Sequence, residues 1–201
     1  MKRDIIVVGA TIGSAGDLGA LLEGLPRDFP AAVLAVVHMA TDQPPIVQSV
    51  VEASSRLPVV TPERSEKIVP GKVYLASPDR HLLVEKGRVL AFKSPQENLH
   101  RPAIDPLFRS AAYYYGPRVV GLVLSKSDCD GTSGMHAIKE RKGLTILRNP
   151  VEGHMPVMPW SIERHIPLDY EARLAEIPRL LIQLADGRGG KRREGGSSHA
   201  Q

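Results

Sequence analysis

The sequence predicts an α/β fold, with a mostly parallel, doubly wound sheet, helices on both faces and a small antiparallel β-hairpin. Three observations predict this class. Continuous apolar runs of strand length alternate along the chain with segments of helical spacing. The apolar runs lack the polar alternation of a half-exposed strand, which is typical of a parallel sheet covered on both faces. One central stretch has shorter strand-type runs that are broken by turn residues.

Four buried strands are predicted from the most continuous apolar runs. The first run leads directly into a Gly-rich turn, and the second and third end in polar residues. A shorter extended segment is predicted at 57–62. The four runs are 5–9, 31–39, 118–125 and 144–150.

Five helices are predicted between and after these strands from apolar residues at helical spacing. Two prolines begin the second helix, where a first turn tolerates a missing N–H. A glycine after the fourth helix provides a stop signal. The predicted helices are 17–25, 44–55, 104–116, 130–143 and 171–185.

The hairpin prediction covers residues 71–92. Its strand-type runs are interrupted by Ser77-Pro78-Asp79 and by Lys86-Gly87, which are turn signals. We therefore expect antiparallel pairing throughout this stretch.

Length and composition indicate one main domain. The chain has 201 residues, of which 42% are hydrophobic and 24% charged, as in ordinary globular proteins. No apolar stretch approaches the ~20 residues of a membrane span, so no membrane insertion is expected. The short N-terminal apolar run does not predict a signal peptide. The single cysteine, Cys129, suits a reducing compartment, and the predicted location is the cytoplasm.

The formal charge of +4 is concentrated at the C-terminus. Residues 187–201 contain four basic residues and one acidic residue, a net charge of +3, in a Gly/Ser-rich context. This composition predicts a disordered tail after a domain over 1–186. No aromatic side chains accompany these charges for base stacking, so nucleic-acid binding is not expected.

Polar residues at three strand ends predict the candidate site. Thr11 follows the first strand, His38 ends the second, and Asp130 lies beyond the third. In parallel sheets the ligand site lies beyond the carboxyl ends of the strands. A hydroxyl, an imidazole and a carboxylate at one sheet edge form the inventory of a nucleophile–base–orienter triad. We expect the Thr11 hydroxyl within or near hydrogen-bonding reach of one His38 nitrogen, and Asp130 on the other nitrogen.

Structural explanations for each residue remain open at this point. Thr11 could cap a helix, His38 could be a satisfied structural histidine, and Asp130 could cap the helix that follows it. A phosphate cradle is disfavoured, because Gly9, Gly13 and the following glycine are spaced differently from G-x-G-x-x-G and no P-loop Lys-Ser/Thr follows.

The residues resemble the catalytic domain of the CheB-type chemotaxis receptor-glutamate methylesterases over almost the whole chain, from about Asp4 to about Ala185. The stretches that carry the resemblance include VVGATIGSAGDL, LPRDFPAAVLAVVHM, KVYLASPDRHLLV, ENLHRPAIDPLFRSAAYYYGPRVVGLVLS and DGTSGMHAIKERKG. The resemblance implies an α/β domain that hydrolyses methyl esters of receptor glutamates and releases methanol. It implies no metal and no organic cofactor.

By motif, the resemblance implies Thr11, His38 and Asp130 as the catalytic triad. The oxyanion donors would be the backbone N–H groups of Ile12 and Ser127. The partner would be a methylated chemoreceptor or similar signalling protein, and the oligomeric state is not specified. His81 and Arg101 fall near the cleft, where substrate-lining and structural roles are both open.

The sequence departs from the family pattern in two active loops. The pattern G-A-S-x-G-G reads here as residues 9–14 with Thr11 in place of serine, and a Gly-Met pair reads Lys126-Ser127. The extra methyl of threonine restricts its side-chain torsion. We therefore expect weak esterase activity; the alternative is a catalytically impaired domain that binds a receptor or signalling partner. Ser14 and Cys129 are less favoured nucleophiles, since Ser14 lies at the helix start and the acidic neighbours of Cys129 disfavour the thiolate that attack requires.

The chain opens directly on the first strand. We therefore expect no receiver domain before it and no control by phosphorylation of such a domain.

Overall fold

A seven-stranded parallel sheet forms the centre of the computed structural model, which describes residues 1–39, 46–125, 129–149 and 166–188. Its strand order is β10-β9-β8-β1-β2-β5-β3, and every neighbouring pair runs parallel. The strands are β1 (Ile5–Thr11), β2 (Ala32–His38), β3 (Val59–Val60), β5 (Val73–Leu75), β8 (Val119–Val123), β9 (Leu144–Arg148) and β10 (Tyr170–Ala172).

A second, antiparallel sheet lies beside it. Its order is β4-β7-β6, and the β6–β7 hairpin turns at Lys86-Gly87, where Gly87 has a φ of 80°. Glycine adopts this left-handed conformation without steric cost. The three strands are β4 (Ser65–Lys67), β6 (His81–Glu85) and β7 (Arg88–Phe92).

Helices cover both faces of the parallel sheet, as alternation of side chains along β1 requires. Ile6 and Val8 pack into the cluster that contains α1, α2 and α5, whereas Ile5 and Val7 pack into the cluster of α3, α4 and the small sheet. The helices are α1 (Ala15–Glu23), α2 (Ile46–Ser54), α3 (Ile104–Tyr115), α4 (Thr132–Glu140) and α5 (Ile177–Ala185).

The predicted fold class is confirmed, and two local predictions were wrong. Residues Val73–Leu75 do not form a hairpin but pair in parallel with β2 and β3 in the central sheet, where all three are buried. The last helix begins at Ile177 rather than at 171. Tyr170–Ala172 pairs with β9 instead, and proline at 178 suits a helical first turn.

The carboxyl ends of β1, β2 and β8 meet at the middle of the sheet. From β1 the chain proceeds to β2 on one side and later returns to β8 on the other, which makes this edge a topological switch point. This is the edge at which the sequence places its candidate site residues.

The boundaries of the predicted tail stay a prediction, because residues 189–201 lie outside the described residues. Within the described residues, each helix is too short or too polar to cross a lipid bilayer.

Gly9 brings helix α3 close to the sheet. A Cβ atom at position 9 would lie 2.7 Å from both Cδ1 and Cγ2 of Ile104, the first residue of α3. Ile104 is almost fully buried and has no open side to move into. The missing side chain at Gly9 therefore sets how closely the first turn of α3 approaches the strand ends.

We expect Gly9→Ala to lower the free energy of unfolding by about 1–3 kcal/mol, because the methyl group overpacks this contact. Gly16→Ala is the matched control: a Cβ there meets nothing within 4 Å, and alanine is favoured in a helix. Urea unfolding of both variants tests the expectation. Equal stability of the two variants would contradict it.

Candidate active site

Thr11 and His38 are neighbours because of strand register. They are directly paired residues at the ends of β1 and β2. In a parallel pair such residues project from the same face of the sheet. Thr11 and His38 continue the alternate positions of β1 and β2 that lie on the face of the sheet covered by α3 and α4. The backbone alone therefore sets the two side chains next to each other.

His38 is buried, with a side-chain exposure of 8%, and binds Asp130. Its Nε2 lies 2.7 Å from Oδ2 of Asp130. Since a carboxylate only accepts hydrogen bonds, Nε2 is the protonated nitrogen and Nδ1 carries the lone pair in the neutral ring. Nδ1 is also buried and has no hydrogen-bond partner among the described residues. Its lone pair is thus not used by any described residue and can accept a proton or a hydrogen bond.

Asp130 receives hydrogen bonds on both oxygens. Oδ2 accepts from the Ile104 N–H at 2.6 Å in addition to His38, and Oδ1 accepts from the Asp105 N–H at 3.0 Å and the Asn98 amide at 2.9 Å. The first two N–H groups of α3 thus point at this carboxylate. An ionised carboxyl is favoured at a helix N-terminus because the unpaired N–H groups and the helix dipole are both positive there.

Helices α3 and α4 are capped reciprocally. Asp130, which precedes α4, caps α3, whereas Asp105 in the first turn of α3 caps α4. Oδ1 of Asp105 accepts from the N–H groups of Gly131 at 3.0 Å and Gly134 at 2.6 Å. Neither helix has a capping side chain at its own N-cap position. Asp130 also accepts a hydrogen bond from the N–H of Gly131, the residue that precedes α4, at 3.1 Å, but its bonds to His38 and to α3 show that it does more than cap its own helix.

Asn98 joins the two carboxylates. Its side-chain amide nitrogen donates to Oδ2 of Asp105 at 2.9 Å and to Oδ1 of Asp130 at 2.9 Å. Each of the two N–H groups of one amide thus serves one buried acid. Without a shared donor, two buried negative charges this close would repel each other strongly.

The two carboxyls have pKa values shifted in opposite directions. Burial raises the pKa of Asp130, but hydrogen bonds from His38, Ile104, Asn98 and Asp105 outweigh burial and hold that pKa below its ordinary value. Burial also raises the pKa of Asp105; the hydrogen bond from Gly134 opposes this effect, and the charge of Asp130 adds to it, so the pKa is raised overall. Asp130 is therefore the carboxylate that remains ionised to orient an imidazole.

Thr11 is the last residue of β1 and directly precedes the turn that leads to α1. Its N–H donates to the Ser125 hydroxyl at 2.7 Å, which connects the ends of β1 and β8. It stands at an N-cap position but makes no side-chain capping bond, so the capping explanation is not supported. The expected hydrogen bond from its hydroxyl to His38 is not formed, since Nδ1 lacks a partner among the described residues. The register still keeps the two residues adjacent.

The other predicted loop positions differ in their surroundings. Ile12 begins a 3-10 turn and is 45% exposed, whereas Ser14 ends that turn and is buried. Burial disfavours Ser14 as a nucleophile. Ser127 and the neighbouring Lys126 lie outside the described residues, so the predicted oxyanion role of Ser127 stays a prediction. Cys129 is an exposed free thiol.

His81 is held by backbone on both ring nitrogens. Its Nε2 lies 3.0 Å from the Pro95 carbonyl, and its Nδ1 lies 3.2 Å from the N–H of Ala103. With an exposure of only 2%, this ring has little surface to offer a substrate. Of the two roles open for His81, the geometry favours the structural one.

Arg101 forms an ion pair with Asp79. Its Nε donates to Oδ1 of Asp79 at 2.8 Å, and its Nη1 donates to the Ser94 carbonyl at 2.6 Å. Lys93 donates to the same carboxylate. Hydrogen bonds from Lys93 and Arg101 lower the pKa of Asp79. A substrate-lining role for Arg101 stays a prediction.

Sequence reasoning missed the roles of Asn98 and His100. The His100 ring is stacked on the ring of His38, with centroids 3.6 Å apart and planes 8° from parallel. Both residues come from the loop that precedes α3, so the strand-end rule does not find them. A polar run directly before a helix was the available signal. Within the described ranges, no group of three or more His, Cys, Asp or Glu side chains is arranged to hold a metal ion.

A parallel α/β sheet with a hydrogen-bonded histidine and aspartate at its carboxyl edge is an arrangement of hydrolytic domains. A family model described as CheB methylesterase matches residues 6–181, and the chain belongs to this family. The resemblance predicted from the sequence is thereby confirmed.

Individual relatives agree with this assignment. The chain is 30% identical, over 92% of its length, to a putative protein-glutamate methylesterase/protein-glutamine glutaminase of Leptospira interrogans, and it covers 96% of that protein. It is 32% identical, over 91% of its length, to protein-glutamate methylesterase/protein-glutamine glutaminase 2 of Anaeromyxobacter dehalogenans, of which it spans 54%. The crystal structure of the Thermotoga maritima CheB methylesterase catalytic domain matches with a TM-score of 0.82 at 30% identity, covering 92% of this chain and 100% of that one.

We expect Asp130→Asn to lower the free energy of unfolding by about 1–3 kcal/mol near neutral pH, because an amide group would face N–H donors that now bind a carboxylate. The folded-state pKa of Asp130 is lowered, so its ionised form stabilises the fold above the unfolded pKa. This stabilisation is lost as the pH falls through the folded pKa. The difference in free energy of unfolding between Asp130→Asn and the native chain should therefore become smaller in acid. Urea unfolding at several pH values measures this difference.

Asp105→Asn is the matched comparison. The pKa of Asp105 is raised in the folded state, so its effect on stability has the opposite sign. Its ionised form destabilises the fold once the pH exceeds the pKa that Asp105 has in the unfolded chain. Neutralising it also removes repulsion from Asp130. Asp105→Asn should therefore cost less than Asp130→Asn near neutral pH; the reverse order would contradict the assignment of the charge to Asp130.

Proposed function

We propose that this chain hydrolyses methyl esters on glutamate side chains of a chemoreceptor-like protein, using Thr11, His38 and Asp130. The observation that carries the proposal is the His38–Asp130 pair, joined at 2.7 Å, with the opposite ring nitrogen buried and without a partner among the described residues. The names of the family and of its relatives support the substrate class. We place the reaction in the cytoplasm, where the exposed Cys129 would stay reduced.

Acylation begins at the Thr11 hydroxyl. Its oxygen attacks the ester carbonyl carbon while Nδ1 of His38 takes the hydroxyl proton. Asp130 holds Nε2–H and stabilises the imidazolium that forms. The tetrahedral intermediate then breaks its bond to the methoxy oxygen, and Nδ1–H returns the proton, so that methanol leaves. The product is a threonyl ester of the substrate glutamate.

Deacylation repeats these steps with water. A water molecule loses its proton to Nδ1 and attacks the threonyl ester, and the Thr11 oxygen leaves with the proton from the imidazolium. The glutamate carboxyl group is released. Backbone N–H groups of Ile12 and Ser127 would stabilise the oxyanion in both halves.

The relatives' names also include protein-glutamine glutaminase. The same attack on a glutamine side chain would expel ammonia instead of methanol. Its amide nitrogen must gain a proton before it leaves, and the imidazolium of His38 is the group positioned to supply it. We include this deamidation in the proposed function because it needs no further residue.

A second candidate is a domain that binds the methylated receptor but turns it over slowly or not at all. Two observations favour it: the threonine at position 11, and the missing hydrogen bond between its hydroxyl and His38. The branched Cβ of threonine allows fewer torsions for attack than serine does. A nucleophile displaced by ~1 Å loses on the order of a hundredfold in rate.

Methanol release from a methylated receptor preparation distinguishes the two candidates. We expect slow turnover by the native chain, loss of on the order of a thousandfold in His38→Ala and Thr11→Ala, and a gain of about tenfold to a hundredfold in Thr11→Ser. Cys129→Ser is the matched control, because it changes an exposed nucleophile next to Asp130 and should leave the rate unchanged.

Two results would contradict the esterase proposal. In the first, Thr11→Ala and His38→Ala release methanol as fast as the native chain. In the second, neither the native chain nor Thr11→Ser releases methanol or ammonia; binding of the methylated receptor without turnover would then support the second candidate.

A further inference from the structure

We propose that His100 is a positioning residue for His38, and that its flat ring fixes the direction in which Nδ1 points. This inference rests on the proposed function, because it explains the orientation of His38, the base of the proposed reaction. The observation behind it is the face-to-face stack of the two imidazoles, 3.6 Å between centroids and 8° between planes.

One hydrogen bond does not define the orientation of a ring. The bond from Nε2 to Asp130 fixes a single atom of the imidazole, and the ring can still roll about the line that joins the two groups. A flat surface in van der Waals contact with the ring face removes that freedom. Asp130 therefore fixes the position of Nε2, and His100 fixes the plane of the His38 ring.

The loop that carries His100 forms a tight turn that backbone hydrogen bonds stabilise. The N–H of His100 donates to the Glu97 carbonyl at 2.9 Å, and the N–H of Glu97 donates back at 3.0 Å, which closes a tight reversal. Inside it, Asn98 and Leu99 adopt left-handed conformations, with φ of 52° and 66°. Such conformations are unfavourable for leucine and less so for asparagine, and they persist where surrounding contacts determine them.

Side chains on both sides of His100 supply those contacts. Asn98 donates to both buried carboxylates, and Arg101 binds Asp79 and the Ser94 carbonyl. The loop is thus attached to the carboxylate pair on one side of His100 and to Asp79 on the other. The carboxylate that orients Nε2 and the loop that stacks on the ring belong to one hydrogen-bonded assembly.

The geometry argues against direct proton transfer between the two histidines. In a parallel stack the ring nitrogens lie in separate planes, and their N–H bonds and lone pairs point along those planes rather than toward each other. What His100 contributes to the orientation of His38 is therefore the flat face of its ring, and phenylalanine supplies the same face.

Two variants separate shape from proton chemistry: His100→Phe keeps a flat ring, and His100→Leu removes it. The first readout is the ring 15N spectrum of His38 in histidine-labelled protein. All three proteins should show the tautomer with the proton on Nε2, because Asp130 still binds that atom. His100→Phe should keep the sharp ring signals of the native protein, whereas His100→Leu should show signals broadened by motion of the ring. This readout does not require turnover, so it remains decisive if the chain proves to be no esterase.

The second readout is steady-state methanol release. His100→Leu should lower kcat on the order of tenfold to a hundredfold with KM within about twofold, as expected when a base is misaimed. His100→Phe should keep kcat within about threefold of native. Leu99→Ala is the control, because Leu99 is 89% exposed in the same loop and should change neither readout.

The proposal is overturned if the His38 ring signals in His100→Leu are as sharp as in the native protein, or if His100→Phe loses as much kcat as His100→Leu. The second result would assign proton chemistry to His100 instead. Should the leucine variant fail to fold, as judged by circular dichroism, His100→Ala takes its place with the same expected results.

Discussion

The buried carboxylate of Asp130 is the group on which the site depends. Burial of a charge is costly, and here the cost is offset by donors from β2, from the loop before α3 and from α3 itself. Each of these donors must be in place for the charge to be tolerated. One side chain therefore couples the imidazole of His38 to the position of a helix, and the helix in turn approaches the sheet only because Gly9 has no side chain.

Exchange of caps between α3 and α4 extends this coupling. A helix that carries its own cap can shift without affecting its neighbour, whereas α3 and α4 each carry the other's cap, in Asp105 and Asp130. Asn98 adds a donor shared by both acids. Hydrogen bonds therefore join the first turns of α3 and α4 to the loop before α3, and His38, the base of the proposed reaction, binds this group through Asp130. Precise placement of catalytic groups requires this kind of support from surrounding hydrogen bonds.

Much of this arrangement could be predicted from the sequence, because parallel strands end at one edge and the polar residues at those ends are few. That rule brought Thr11, His38 and Asp130 to one place. It could not find Asn98 or His100, since their loop depends on two left-handed residues that no propensity predicts. Val73–Leu75 was misassigned because its turn-rich surroundings resemble a hairpin, and its partners β2 and β3 are distant in sequence. Glu171 and Ala172 were taken for helix because glutamate and alanine favour helices, while the pairing of Tyr170–Ala172 with β9 decided otherwise.

The pairing of Thr11 with His38 is a property of backbone register, independent of which side chain stands at position 11. Every threonine codon becomes a serine codon when its first base changes from A to U. The gene is thus one point mutation from a serine at position 11, and the register that pairs this position with His38 does not depend on that change. A single base change can therefore exchange the proposed nucleophile while the strand pairing that places it beside His38 stays the same.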